Sequence, residues 1–312
     1  MDGTEEDHII LRGINTNKGA WGAIEIHSTR ELNKLNYVEI LNGGSGTSGY
    51  SCALYLYDGS VSVTNCVIDG SASNGVTTYS TNGRFTAFEG NTISNCDKAP
   101  IYTETTIWSL RSISGNNAFA GNASNYIHVS TSNPPTGNMT LKKLTIPWYL
   151  ADGLWVNHSS STLTVEPGTQ IWVGGDKQIS ISDNAKLVAR GTAAERIVFR
   201  GSTDQKGWWR GIQVDTDLEG TEFAYCDISG GGRSDGYWAN RCLYLYNATV
   251  ELFNVAISKS LRYGIGLEGT NSIWSSGVTF SDIELGNVWY YNNGQTSEAL
   301  PANNFTPEAP LQ

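Results

Sequence analysis

The sequence predicts an all-β chain wound as one solenoid of stacked parallel strands. Three observations carry that expectation: a long internal duplication, a shorter beat of alternating runs within each copy, and a composition suited to strands and turns.

The duplication shows first in two eleven-residue stretches. "GTEEDHIILRG" (3–13) and "GTAAERIVFRG" (191–201) both open Gly-Thr, run through apolar positions and close Arg-Gly. The match continues as "NKGAWGAIEI" (17–26) against "QKGWWRGIQV" (205–214), with Tyr37 answering Tyr225 and Gly43 and Gly44 answering Gly231 and Gly232. After a one-residue slip, "LYLY" at 54–57 returns at 243–246, and Gly75 answers Gly264. A long internal period of this kind, here 188–190 residues, marks a stacked architecture. The expected division is a first copy over 1–138 and a second over 139–312, continuous as one solenoid. Gly3 stands where a fuller copy would be preceded by residues like 141–190, so the chain is expected to begin in mid-coil.

The shorter beat runs inside each copy. One series of apolar positions is Leu163, Leu187, Ile212, Leu243 and Ile265; a second is Ile171, Ile197, Phe223, Val250 and Ile273. Around them lie short alternating runs such as "QIWV", "RIVF", "GIQV", "LYLY" and "TVELF". Period-2 alternation of β-branched and aromatic residues describes strands with one buried face. Strands that recur every 22–31 residues describe a coil, each turn laid parallel to the one before with a continuous apolar column inside. At that period the coil is expected to make roughly 12–14 turns. The Gly/Ser-rich segments 43–52 and 230–240 read as loops at matching corners. The opening stretch recurs for a structural reason. Gly-Thr makes a corner, Ile9 and Leu11 (Ile197 and Phe199) point inward, and Gly13 (Gly201) permits the next bend.

Composition bounds the function. The 312 residues carry a net charge of −10 with 39% hydrophobic residues, which supports a core and argues against nucleic acid as partner. No apolar run approaches the roughly 18 residues that cross a bilayer. Aligning the copies sets Cys66 opposite Val255, Cys226 opposite Val38 and Cys242 opposite Ala53, so the thiols serve as small buried hydrophobes. There is no Cys-x-x-Cys, no His-x-x-x-His, no calcium-loop pattern and no Gly-x-Ser-x-Gly, and no metal or cofactor is expected.

"LTVEPGTQIWVGG", "AKLVARGTAAERIVFRGS" and "GWWRGIQV" resemble the repeat of secreted bacterial right-handed parallel β-helix proteins, related in fold to the pectate-lyase superfamily. The resemblance covers 163–283, and 3–97 through the duplicate. It implies a right-handed parallel β-helix and an extracellular or cell-surface location. It does not imply one activity, because the catalytic motifs of polygalacturonases and pectate lyases are missing.

What remains is a surface. If Ile24, Ile26, Leu54, Leu56 and Val76 point inward, then Glu25, His27, Tyr55, Tyr57, Thr77 and Tyr79 face out. The second copy repeats this with Gln213, Asp215, Tyr244, Tyr246 and Glu268, and Trp208 and Trp238 add candidate contacts at the corners. Tyrosine rings beside carboxylates on a ribbed face suit sugar rings; outward aromatic ladders also stabilise sheets with no ligand. The expected function is a non-catalytic module that binds polysaccharide or supports adhesion. The alternatives are a polysaccharide lyase or glycoside hydrolase, with Glu25 and His27 or Asp215 and Glu268 as the acid–base pair, and a bare structural spacer.

Overall fold

The computed structural model describes residues 1–46, 51–79, 83–133, 137–233, 239–292 and 295–297. Trp238 and parts of both glycine-rich loops (47–50 and 234–238) lie outside the described residues. The fold is an all-β parallel solenoid of about 11 turns, about 25 residues apart, a little fewer than the period suggests.

Two compact units comprise Met1–Thr131 with Leu144–Trp148, and Ser132–Lys143 with the chain from Tyr149 onward. In the first unit, three parallel walls rise together. Wall one holds Ile9–Arg12, Val38–Leu41, Val67–Asp69, Thr92–Ser94 and Ala118–Ala120. Wall two holds Ile24–Ile26, Cys52–Tyr57, Asn74–Tyr79, Ile101–Thr103 and Ile127–Val129, and wall three holds Lys34–Asn36, Ser60–Thr64 and Arg84–Glu89. In the second unit the walls are numbered by their equivalence to the first copy, so that wall two here is a different sheet from wall two of the first unit. Wall one holds Gln170–Val173, Ile197–Gly201, Cys226–Ser229, Ala256–Ser260 and Thr279–Ile283. Wall two there holds Leu154–Val156, Gln178–Ser182, Gly211–Asp215, Arg241–Tyr246, Tyr263–Glu268 and Gly286–Asn292. Wall three holds Met139–Leu141, Thr162–Val165, Lys186–Arg190, Thr221–Ala224, Thr249–Phe253 and Ser272–Ser276.

The alternating pattern dictates these walls. In the register Ile40↔Ile68↔Ile93, equivalent side chains stack in one column and are fully buried. Burying each such side chain contributes about 1.5–3 kcal/mol, which makes the column the main source of stability. Corners are held by buried amides. The Asn91 side chain accepts from the Cys66 amide at 2.9 Å and donates to the Val63 carbonyl at 2.9 Å, and its own amide donates to Asn117 Oδ1 at 3.0 Å. All five cysteines are buried free thiols. Burial pushes Cys52 up to about 12 and Cys96 and Cys242 up to about 11.

The duplication extends to individual bonds. The Trp21 indole donates to the Leu41 carbonyl at 2.8 Å, and Trp209 donates to the Ser229 carbonyl at 2.8 Å. Tyr37 and Tyr225 both adopt left-handed backbone, at φ 50° and 49°. Gly44 (φ 84°) and Gly232 (φ 76°) do so too, and a Cβ at either would collide with a serine hydroxyl, that of Ser71 or Ser260. Only glycine meets both demands.

The two apolar series differ from their expected placement. Leu163 and Leu187 pair on wall three, whereas Ile212, Leu243 and Ile265 pair on wall two. Likewise Ile171 and Ile197 belong to wall one, while Phe223, Val250 and Ile273 belong to wall three. The reason is the long corner 202–210 between the strands Ile197–Gly201 and Gly211–Asp215. It stretches the true step to 33 residues between Ile179 and Ile212, so an even count near 25 slips one strand onto the neighbouring wall. The wall-two face survives this correction, with Ile179 replacing Leu187 as the rung before Ile212.

Candidate functional site

Wall two presents its outward positions in two parallel rows. In the first unit one row runs Glu25, Tyr55, Thr77, Tyr102 and His128 in register. Beside it stand His27, Tyr57 and Tyr79. The His27 ring lies 5.3 Å from Tyr57, and Tyr57 stacks on Tyr79 at 5.5 Å with 10° between their planes. His27 shares a hydrogen bond of 3.1 Å with Glu25. Tyr57 remains 38% exposed, so the stack offers an open aromatic surface. Thr77 differs from expectation, being fully buried although its position faces out. Its register neighbours are the rings of Tyr55 and Tyr102, between which a threonine is too short to reach solvent. Cys52, Tyr55, Glu25, Ser51 and Ala23 line a cavity of 240 Å³ beside the glycine-rich loop.

In the second unit the first outward row is Trp155, Ser180, Gln213, Tyr244, Gly266 and Trp289. The second row carries Ser182 opposite Asp215, and Tyr246 opposite Glu268. Tyr244 is only 1% exposed, against the expectation of an open ring. Arg241 explains the difference: its guanidinium lies 4.5 Å from the Tyr244 ring centre and 3.7 Å from that of Trp289. Gly266 provides the gap, because a Cβ there would collide with the Arg241 side chain. The Tyr244 hydroxyl donates to Glu268, which is thereby committed to an internal bond. Trp208 is half-buried; it packs against Gly175 and Gly201 and donates to Ser202 Oγ at 3.0 Å. Tyr244, Glu268 and Trp208 therefore serve packing, whereas Asp215 and Tyr246 stay at the surface.

Those two share a groove of 410 Å³ with Gln178, Arg210 and Gln213. Arg210 donates to Asp176 at 2.8 Å, and Arg233 lies 3.2 Å from the same carboxylate. The Arg210 hydrogen bond, joined by the charges of Arg233 and Lys177, holds Asp176 below the usual carboxylate range. Asp215 moves the other way: desolvation and the neighbouring charge of Asp183 raise it. The groove thus combines a guanidinium, two amides, a phenol and a carboxyl held above its ordinary value. The two cavities occupy matching positions of the duplicated wall, since Gly22 and Glu25 line one where Arg210 and Gln213 line the other.

Sequence reasoning missed Gln178, Arg210, Tyr102 and His128 as parts of this surface. Arg210 and Gln178 precede the alternating core of their strands, and Tyr102 and His128 lie in rungs outside the quoted repeats. The alternation of "IYT" and "IHV" was the available signal.

Among the described residues no group of three His, Cys, Asp or Glu side chains is placed to hold a metal ion. No helix among them is long and apolar enough to cross a membrane. No protein-family model, curated protein or solved structure matches this chain.

Proposed function

We propose that the protein is a non-catalytic extracellular or cell-surface module that binds polysaccharide on the outward faces of two equivalent walls, wall two of the first unit and wall two of the second. The open His27–Tyr57–Tyr79 stack beside Glu25 carries this reading. Rings about 5 Å apart along a straight strand ladder offer successive platforms to sugar rings, and the adjoining polar groups take the hydroxyls. The Gln178–Arg210–Gln213–Asp215–Tyr246 groove supplies hydrogen-bond partners of both kinds at the matching position of the second copy. Binding to a panel of soluble glycans tests the reading, with Tyr57→Ala and Tyr246→Ala beside the parent chain. Each ring removed is expected to weaken binding roughly 3- to 10-fold, the worth of one aromatic contact. Absence of binding to every glycan identifies a structural spacer and refutes the proposal.

One observation favours a second reading as a polysaccharide-cleaving enzyme. Asp215, with its raised proton affinity, sits in a groove beside Arg210, where a carboxylic acid could donate a proton. New reducing ends or unsaturated products that vanish in Asp215→Asn would replace the binding reading with this one.

A further inference from the structure

A third cavity lies on wall three of the second unit, on a different sheet from the surface described above. It has a volume of 280 Å³ and is lined by Trp274, Phe253, Glu251, Glu219, Thr249 and Thr221, among others. Register explains why these side chains meet. Glu222, Glu251 and Trp274 follow one another along one outward row, and Phe253 lies two residues beyond Glu251 on the same side of its strand.

Two features distinguish this cavity from an ordinary surface fold. Trp274 is 41% exposed and makes no ring or cation contact among the described residues. An indole left open inside a concavity is an uncommon use of the largest apolar side chain. Glu222 is engaged by Arg190, whose Nε lies 3.0 and 3.1 Å from its two oxygens. Glu251 and Glu219, by contrast, make no hydrogen bond or ion pair among the described residues. Lys186 stands at the rim near Gly220. Arg190 pairs with Glu222 and also feels the charge of Glu251; three carboxylates against Arg190 and Lys186 leave the cavity with an excess of one negative charge.

We infer that this cavity is a second binding site, for an amino-sugar unit carrying a free ammonium group. The Trp274 and Phe253 rings would take the apolar face of the pyranose. Glu251 and Glu219 would take the ammonium and neighbouring hydroxyls, and the open indole face adds cation–π attraction. A neutral sugar would leave the excess negative charge of the cavity uncompensated. An acidic sugar would be repelled by them. The volume, near the lower end for ligand sites, suits one or two rings and not a long chain segment.

The inference stands apart from the wall-two reading, since no residue is shared. Calorimetric titration of the full chain with the hexamer of glucosamine tests it, beside the hexamer of N-acetylglucosamine and a neutral glucose hexamer. The glucosamine hexamer is expected to bind at least tenfold more tightly than either, and less tightly as salt rises from 50 to 300 mM. Trp274→Ala and Glu251→Gln should each weaken it at least fivefold, while Trp274→Phe retains most of it and Tyr57→Ala and Tyr246→Ala leave the preference unchanged. Matching thermal melts exclude misfolding as the source of any loss. Equal binding of the acetylated or neutral hexamer overturns the inference, as does full binding by Trp274→Ala. Equal binding of a simple alkylammonium such as choline overturns the sugar part. Loss of the preference only in the wall-two variants assigns it to that face and also overturns it.

Discussion

Replacing Gly232 with alanine tests the corner geometry that the two copies share. The residue has φ 76°, and a Cβ there would overlap the Ser260 hydroxyl. The left-handed backbone costs an alanine about 1–2 kcal/mol, and the overlap adds about 1–3 kcal/mol. Ser260 cannot swing aside freely: it is fully buried, donates to the Tyr263 carbonyl at 2.6 Å and accepts from the Arg262 amide at 3.3 Å. Gly232→Ala should therefore cost about 2–5 kcal/mol. Ser260→Ala alone, which takes a partner from the half-buried Arg262 amide and Tyr263 carbonyl, should cost about 1 kcal/mol. In the double variant the overlap is gone, because the next atoms are Arg262 N at 3.4 Å and Leu261 N at 3.5 Å, both ordinary contacts. The pair should then be less destabilised than the sum of the singles by about 1–3 kcal/mol. Urea unfolding followed by near-ultraviolet dichroism measures all four corners of the cycle. Gly44→Ala with Ser71→Ala should repeat the pattern with weaker rescue, since Ala72 N lies closer, at 3.2 Å. Strict additivity in both copies would refute the reasoning.

Three further outcomes are expected. Asn91→Ala should cost about 2–4 kcal/mol in urea unfolding, because it leaves the buried Cys66 amide and Val63 carbonyl without partners; a loss below 1 kcal/mol would show that the asparagine stack is incidental. Asp215 has a raised pKa in the folded chain, so its ionisation penalises folding as pH climbs through and above the ordinary carboxylate value. Asp215→Asn should accordingly be no less stable than the parent at pH 7, with any advantage fading as both forms become neutral near pH 3; thermal melts across that range report it. A thiol reagent at pH 8 should label the native chain far more slowly than the urea-unfolded chain, in which all five cysteines become accessible. Rapid native labelling of Cys52 or Cys242 would contradict their burial.

Much of this fold is legible in the chain because its regularities are local. Leu54, Leu56 and Val76 alternate with polar or aromatic neighbours, and that alone sets them inside wall two. The duplication carries the corners as well, down to the left-handed Tyr37 and Tyr225. What misleads is the counting of turns across an insertion: residues 202–210 delay the next rung, and an even period then links Leu187 to Ile212, which belong to different walls. Alternation also gives direction and not exposure. Tyr244 faces outward as its position demands, yet Arg241, three residues before it, folds across the ring through the gap left by Gly266. Such a cover depends on a side chain from the next rung being absent, which no single strand reveals. The Trp274 cavity follows the opposite rule: "TVELF" and "SIWSS" already place Glu251 and Trp274 outward, but only register shows them adjacent.

Tyrosine-ring resonances in a chain with labelled tyrosines, followed while oligosaccharide is added, probe the wall-two face most directly. The binding account predicts saturable shifts confined to a subset that includes Tyr55, Tyr57, Tyr79 and Tyr246, assigned by single Phe substitutions, while the buried Tyr244 stays in place. Saturable binding that leaves those four rings untouched would contradict it, as would shifts that spread evenly over all the tyrosines.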